Sequence, residues 1–210
     1  PCSVFYLASF CTIDIDMMKI ILASASPRRK QLLEQMGLKF DVITSNTKEQ
    51  MPYGLDTEEI PVELAYKKAV DVASCVSQPA IIIGADTVVV KDEILGKPKN
   101  EEEARQMLLK LQGKTHEVIT GLAIVNTRTG IIKKGYEKTL VEMAPLSLQE
   151  IEHYVQTGEP MDKAGAYGIQ GLAGIFISRI TGCYFNVMGL PIHRLWSMLK
   201  EFGINVLDNI

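Results

Sequence analysis

At 210 residues with 47% hydrophobic content, the chain is long enough to bury a sizeable core and reads as a single domain. A formal net charge of −3 argues against a general nucleic-acid binder, which would spread lysine and arginine over one face, so any anion site must be local. No apolar run reaches the length of a membrane span, which points to a soluble protein with no membrane partner. Cys2, Cys11, Cys75 and Cys183 show no C-x-x-C spacing, and His116, His153 and His193 are equally scattered. That pattern argues against structural zinc and for free thiols in a reducing cytoplasm, with Cys75 and Cys183 as small packing residues.

Residues 1–16 differ from the rest. The stretch 4–10 is apolar, but it lacks a basic flank and runs into Asp14 and Asp16, so it reads as an upstream extension or cloning scar rather than a signal peptide. The functional domain is expected over 17–210, as two lobes around a cleft.

The first predicted strand covers 19–23 and hands over to a helix over 27–36. Ser26 is placed to cap it, Pro27 fits the first helical position and Gly37 stops it. Arg28 and Arg29 then fall in the first turn, beside unpaired N–H groups and the positive end of the helix dipole. Cations are misplaced there unless an anion joins them, and a phosphate suits backbone donors and guanidinium forks together. The plain alternative is two solvated arginines.

A second strand is expected over 38–44, then a polar, mobile loop over 45–59 and a helix from Pro61. That helix packs through Ala65, Ala69, Val72, Ala73 and Val76, while Leu64, Lys68, Asp71 and Cys75 make a mixed face. The run 80–90 is apolar on both alternating faces except at Asp86 and Thr87, which predicts a deeply buried strand. A carboxylate there is costly unless it is hydrogen-bonded, metal-bound or working as a base, although it could also cap a loop at a strand end. Lys97 lies in the rigid turn Gly96-Lys97-Pro98, and Lys67 and Lys68 add cations on the preceding helix. With Arg28 and Arg29 these would neutralise a triphosphate, and Asp86 with Glu49 could hold a hard cation such as magnesium.

Asn100 caps a helix whose first turn carries Glu101, Glu102 and Glu103. Strands over 116–126 and 131–143 form a hairpin, which makes the sheet mixed. Ser147 and Glu150 form a capping box for a helix ending near Gly158. The glycine-rich stretch 162–171 reads as backbone packed against a ligand, with the Gln170 amide suited to a nucleobase edge, or else as a structural turn. A strand over 174–180 and a helix over 190–202 opened by Pro191 close the chain. Gly113-Lys114-Thr115 resembles the end of a P-loop, but Leu108 stands where its first glycine belongs.

Five stretches taken together carry a family resemblance: 23–29, 84–88, 96–98, 158–171 and 186–191. In this order they resemble the Maf family of nucleoside triphosphate pyrophosphatases, over residues 18–206. The resemblance implies a mixed α/β fold, with an elongated sheet bent around a cleft as in inosine triphosphate pyrophosphatases, and often a homodimer. It implies water attack on the α-phosphate of a nucleoside triphosphate with a divalent cation, Mg2+ or Mn2+, as cofactor. By the same resemblance Asp86 is the proton acceptor, Glu49 helps to hold metal or water, and Lys68, Lys97, Arg28 and Ser24 face the phosphates. Arg29, Thr87 and Gln170 occupy substrate-selecting positions of the branch acting on dTTP and UTP. The alternatives are the branch acting on 7-methyl-GTP and a non-enzymatic regulator of septum formation.

Overall fold

The structure is a computed structural model that describes residues 18–47 and 51–209. Glu49 and the segment 1–16 lie outside the described residues. The apolar runs assemble into one seven-stranded sheet in the order β2-β1-β3-β5-β6-β7, with β4 off this path and paired to β3. The strands are β1 (Lys19–Leu22), β2 (Asp41–Val42), β3 (Ala80–Lys91), β4 (Glu93–Leu95), β5 (Thr115–Asn126), β6 (Ile132–Met143) and β7 (Ile177–Thr181). β1 runs parallel to β2 and β3, and the remaining pairs are antiparallel, so the sheet is mixed as expected.

β3 is the spine. Ile81, Ile83 and Ala85 face one core with Leu32, Leu33 and Leu195, whereas Ala80 and Ile82 face another with Ala65, Ala69 and Val72. The first core is closed by α1 (Pro27–Gln35) and α6 (Ile192–Lys200), the second by α2 (Glu59–Cys75). A third cluster joins the far ends of β3 and β5 to α3 (Glu101–Leu111) and α4 (Leu148–Gln156). α2 lies unusually close to the sheet because glycines face it. A Cβ on Gly84 would stand 2.1 Å from the Ala65 carbonyl oxygen, and one on Gly121 would stand 2.2 Å from the Pro61 carbonyl carbon.

β3 loses a neighbour along part of one side. β1 pairs with it from Ala80 to Ile83, and β4 pairs with it from Val89 to Lys91. Between them, residues 84–88 have no strand partner on that edge among the described residues, while β5 pairs with them throughout on the other. A sheet edge left open beyond the carboxyl end of a parallel strand is where α/β folds place ligands.

Local expectations met mixed outcomes. Asn100 caps α3 by accepting from the Glu103 N–H, and Ser147 and Glu150 form the full capping box. Ser26 holds the N-cap position of α1, but its side chain makes no cap bond. The expected strand over 38–44 shrinks to two residues, and α2 starts before Pro61, at Glu59. The expected strand over 174–180 is overturned in its first half: Leu172–Phe176 winds into a 3-10 turn and β7 starts at Ile177. Pro191 caps α6 rather than opening its first turn, and a short helix not anticipated from sequence, α5 (Tyr184–Met188), precedes it. Cys75 is exposed and Cys183 half-buried, so neither is the packing residue expected.

Because Gly121 meets backbone rather than a flexible side chain, Gly121→Ala should push α2 off the sheet and cost roughly 2–3 kcal/mol in urea unfolding. A loss near zero would contradict the close packing described.

Candidate active site

The open edge of β3 forms the floor of a cleft of about 720 Å³. Residues 23–29 border it on one side, where β1 ends and α1 begins, and residues 162–164 and 167–170 border it on the other. Alternation along a strand would send Asp86 and Thr87 to opposite faces of the sheet. With no described strand paired along this edge, both line the same cleft.

Ser24, Arg28, Arg29, Lys68, Asp86, Thr87, Lys97 and Gln170 all line it, so every predicted site residue except Glu49, which is outside the described residues, meets in one place. Six cationic side chains border the cleft, Arg28, Arg29, Lys68, Lys97, Lys99 and Lys163, against three carboxylates, Asp86, Glu103 and Asp162. A chain of net charge −3 therefore carries a locally cationic cleft, whose low-dielectric walls focus that field on an anionic ligand.

Asp86 is 9% exposed, and its Oδ1 accepts a hydrogen bond from Lys68 Nζ at 2.5 Å. The charge on an otherwise apolar strand is thus matched by a cation from α2, which the small residue at Gly84 brings close. Asp86 Oδ2 accepts no hydrogen bond among the described residues.

Arg29 is not a solvated cation. It is 8% exposed, and its guanidinium donates to Gly189 O at 2.8 Å, Ser24 Oγ at 3.1 Å and Thr87 Oγ1 at 3.0 Å. It clamps the β1–α1 turn, the centre of β3 and the end of α5 around the cleft. Arg28 is less buried and pairs with Asp162 at 3.1 Å, both residues lining the cleft. Burial alone would raise the Asp162 carboxyl, but the hydrogen bond from Lys163 and the charges of Lys163 and Arg28 outweigh it and hold the pKa below the ordinary value.

The glycine-rich wall is braced from outside. Glu159 accepts from Tyr154 Oη at 3.0 Å and from the Leu172 N–H at 2.9 Å, and the Gly165 N–H donates to Gly96 O at 3.0 Å. Gly165 holds φ 68 against Val89, and Ala166 holds φ 60. A left-handed alanine is strained, and such strain clusters at ligand sites. Gln170 donates from Nε2 to Gln31 Oε1 at 3.1 Å. Opposite, the loop expected to be mobile is fixed at 45–47, where Asp71 accepts from Ser45 Oγ and the Asn46 N–H, both at 2.8 Å. The Ser45 bond, then the Asn46 bond, hold the Asp71 pKa below its ordinary value.

Behind Thr87 lies a buried polar network that the sequence reading missed. Thr87 Oγ1 is 2.9 Å from Thr120 Oγ1, and Thr120 bonds to both the side chain and the main chain of Asn186. Thr120 interrupts the apolar stretch 118–125 much as Asp86 interrupts 80–90, and that signal could have found it. His116 and Tyr167 were also missed. Their Nε2 and Oη atoms are 2.6 Å apart, and Tyr167 lines the cleft.

A sequence profile of the family described as Maf-like protein matches residues 19–202. A dTTP/UTP pyrophosphatase of Acetivibrio thermocellus is 49% identical over 200 residues, covering 92% of this chain and 100% of that protein. A dTTP/UTP pyrophosphatase of Alkaliphilus oremlandii is 51% identical over 192 residues, covering 91% of this chain and 100% of that one. Among solved structures, a HAM1 protein from Coxiella burnetii aligns with 88% of this chain and 100% of its own, at 17% identity and a TM-score of 0.49.

His116 gives the site's support a pH signature. Burial, with the charge of Lys91 adding, lowers its pKa from 6.5 to about 4, and its Nδ1 has no partner among the described residues. Between those values the unfolded chain binds a proton that the folded chain refuses. The stability in question is therefore complete above pH 6.5 and is lost as pH falls towards 4, by about 3 kcal/mol. His116→Gln should flatten the fall of unfolding free energy between pH 6.5 and 4; a slope equal to that of the unmodified protein would contradict this.

Proposed function

Since the chain belongs to the Maf-like protein family, we propose that it hydrolyses nucleoside triphosphates, preferably dTTP and UTP, to the monophosphate and pyrophosphate. The observation that carries this reading is the convergence of Asp86, Lys68, Arg28 and Lys97 on one cationic cleft at the open edge of β3. A triphosphate is the substrate class that such a cluster suits.

The roles proposed for these residues are supported by their placement in the cleft and by elementary chemistry. Asp86 accepts a proton from water as the water oxygen bonds to the α-phosphorus. The bond from that phosphorus to the bridging oxygen breaks, and pyrophosphate leaves with the electron pair. Charge building on the phosphoryl oxygens is relieved by Lys68, Lys97 and Arg28, and in-line attack needs little from the protein beyond this positioning and relief. Ser24 Oγ already accepts from Arg29 Nη1 at 3.1 Å and from the Ser26 N–H at 3.3 Å, which takes both its lone pairs. Its proton is left to donate, which suits a phosphate oxygen. Gln170 and Thr87 offer polar groups for the base, and Gln170 carries both a donor and an acceptor.

A hard divalent cation fits this donor set. Asp86 supplies carboxylate oxygen at the cleft, with Oδ1 on Lys68 and no donor on Oδ2 among the described residues. Magnesium is commonly held in that way, by one or two carboxylates with substrate phosphates and water. Asp86, joined by Glu49, is the proposed holder, and the cation would supply Lewis-acid relief at the phosphoryl oxygens. No described helix is long and apolar enough to cross a membrane.

The test is pyrophosphate release from a panel of nucleoside triphosphates, including 7-methyl-GTP, with magnesium or manganese. Turnover should favour dTTP and UTP, and Asp86→Asn should lower kcat at least about a thousandfold while the protein still folds, as circular dichroism would show, with a lowered melting temperature from loss of the ion pair to Lys68. An active Asp86→Asn enzyme would overturn the role of Asp86. Preference for 7-methyl-GTP would overturn the base assignment, and no release from any nucleotide would favour a non-enzymatic regulator.

A further inference from the structure

Thr120 and Asn186 are both 0% exposed, lie outside the cleft lining, and take no part in the steps above. We propose that they are positioning residues that lock the Thr87 hydroxyl as a hydrogen-bond acceptor towards the cleft, and that this polarity selects the ring N3–H of uracil or thymine. The inference rests on the proposed nucleotide reading for the identity of the ligand. The polarity itself follows from donor and acceptor counting.

The count starts where no rotation can change it. Asn186 Nδ2 donates to the Val118 carbonyl at 2.9 Å and to Thr139 Oγ1 at 2.9 Å, while Asn186 Oδ1 accepts from the Thr120 N–H at 3.1 Å. Turning that amide over would set oxygen against oxygen and N–H against N–H, so its orientation is fixed. Thr120 Oγ1 lies 3.0 Å from the Asn186 main-chain oxygen, which can only accept. With the hydroxyl turned elsewhere, two lone-pair-bearing oxygens would face each other in a dry interior. The single Thr120 proton is therefore committed to Asn186.

Thr87 must then donate across the 2.9 Å contact to Thr120 Oγ1. From the other side Arg29 Nη2 donates to Thr87 Oγ1 at 3.0 Å. A hydroxyl has one proton and two lone pairs. Thr87 has spent its proton and one lone pair, so it meets the cleft with one lone pair and no donor. Uracil and thymine present a single N–H on their pairing edge, at N3 between two carbonyl oxygens, whereas cytosine presents a lone pair at N3. An acceptor held rigidly at that position welcomes the first and repels the second, and a hydrogen-bonding site rejects mismatched partners far more strongly than an apolar pocket does. Burial of the relay in a low-dielectric interior makes reversing it costly, which turns a rotatable hydroxyl into a fixed one.

The experiment compares kcat/KM for UTP and CTP in the unmodified protein, Thr120→Val and Thr120→Ser, with circular dichroism and melting temperature as fold controls. Thr120→Val frees the Thr87 proton to turn into the cleft, so the UTP-to-CTP ratio should fall about tenfold, mainly through KM, and Thr120→Ser should restore it. A folded Thr120→Val with an unchanged ratio, even if it melts earlier, would reduce Thr120 to a structural residue and overturn the proposal. Should Thr120→Val fail to fold, N3-methyl-UTP decides the matter on the unmodified protein: turnover at least tenfold below UTP supports the acceptor, and equal turnover overturns it. If the unmodified protein cleaves no nucleotide at all, the functional reading itself fails and takes this inference with it. An active protein with an unmoved ratio refutes only the inference.

Discussion

A carboxylate can stand in the middle of β3 because two things happen at the same point of the strand. β1 stops pairing at Ile83 and β4 does not begin until Val89, so the strand has open space beside Asp86. On the face towards α2, Gly84 lets that helix approach closely enough for Lys68 to reach Asp86 at 2.5 Å. Either feature alone would leave a buried charge either unmatched or sealed away from any substrate. Together they give a charge that is compensated and still borders a cleft.

The rest of the site is built outward from that gap. The turn after β1 and the start of α1 supply Ser24, Arg28 and Arg29, and the far wall supplies Gln170 on a loop braced by Glu159 and strained at Ala166. Arg29 does not await substrate as a solvated charge. It ties three segments together, and its bond to Thr87 feeds a polar relay that continues through Thr120 to Asn186. In the proposed reading the division of labour is spatial: the charge at Asp86 and its cationic neighbours serves the phosphates, and the hydrogen-bond polarity at Thr87 serves the base. Adjacent residues of one strand reach the same cleft where no described strand pairs with that edge of β3.

Much of this was legible in the sequence wherever a local rule is strong. The apolar run broken at Asp86 and Thr87, the caps at Asn100 and Ser147, and the hairpin from β5 to β6 all rest on local chemistry and all appear in the fold. The 3-10 turn at Leu172–Phe176 escaped because it is held by Glu159, a residue more than ten positions earlier, while its apolar composition reads as strand. Ser26 offered a cap by residue type, but its own N–H turns to Ser24 Oγ at 3.3 Å. Thr120 and Asn186 are 66 positions apart, and no spacing rule joins them. The gap in the pairing of β3 is a property of three strands at once, so the sequence shows its consequence, the polar pair in an apolar run, without its cause.

The most direct measurement is a crystal structure with a uridine triphosphate analogue whose bridging α–β oxygen is replaced by methylene, so that it binds without being cleaved. The account predicts the α-phosphorus beside Asp86, the phosphate chain among Lys68, Lys97 and Arg28, and the uracil N3–H on Thr87 Oγ1. A nucleotide bound in the reverse sense, with its ring at Asp86, or bound away from the open edge of β3, would contradict it.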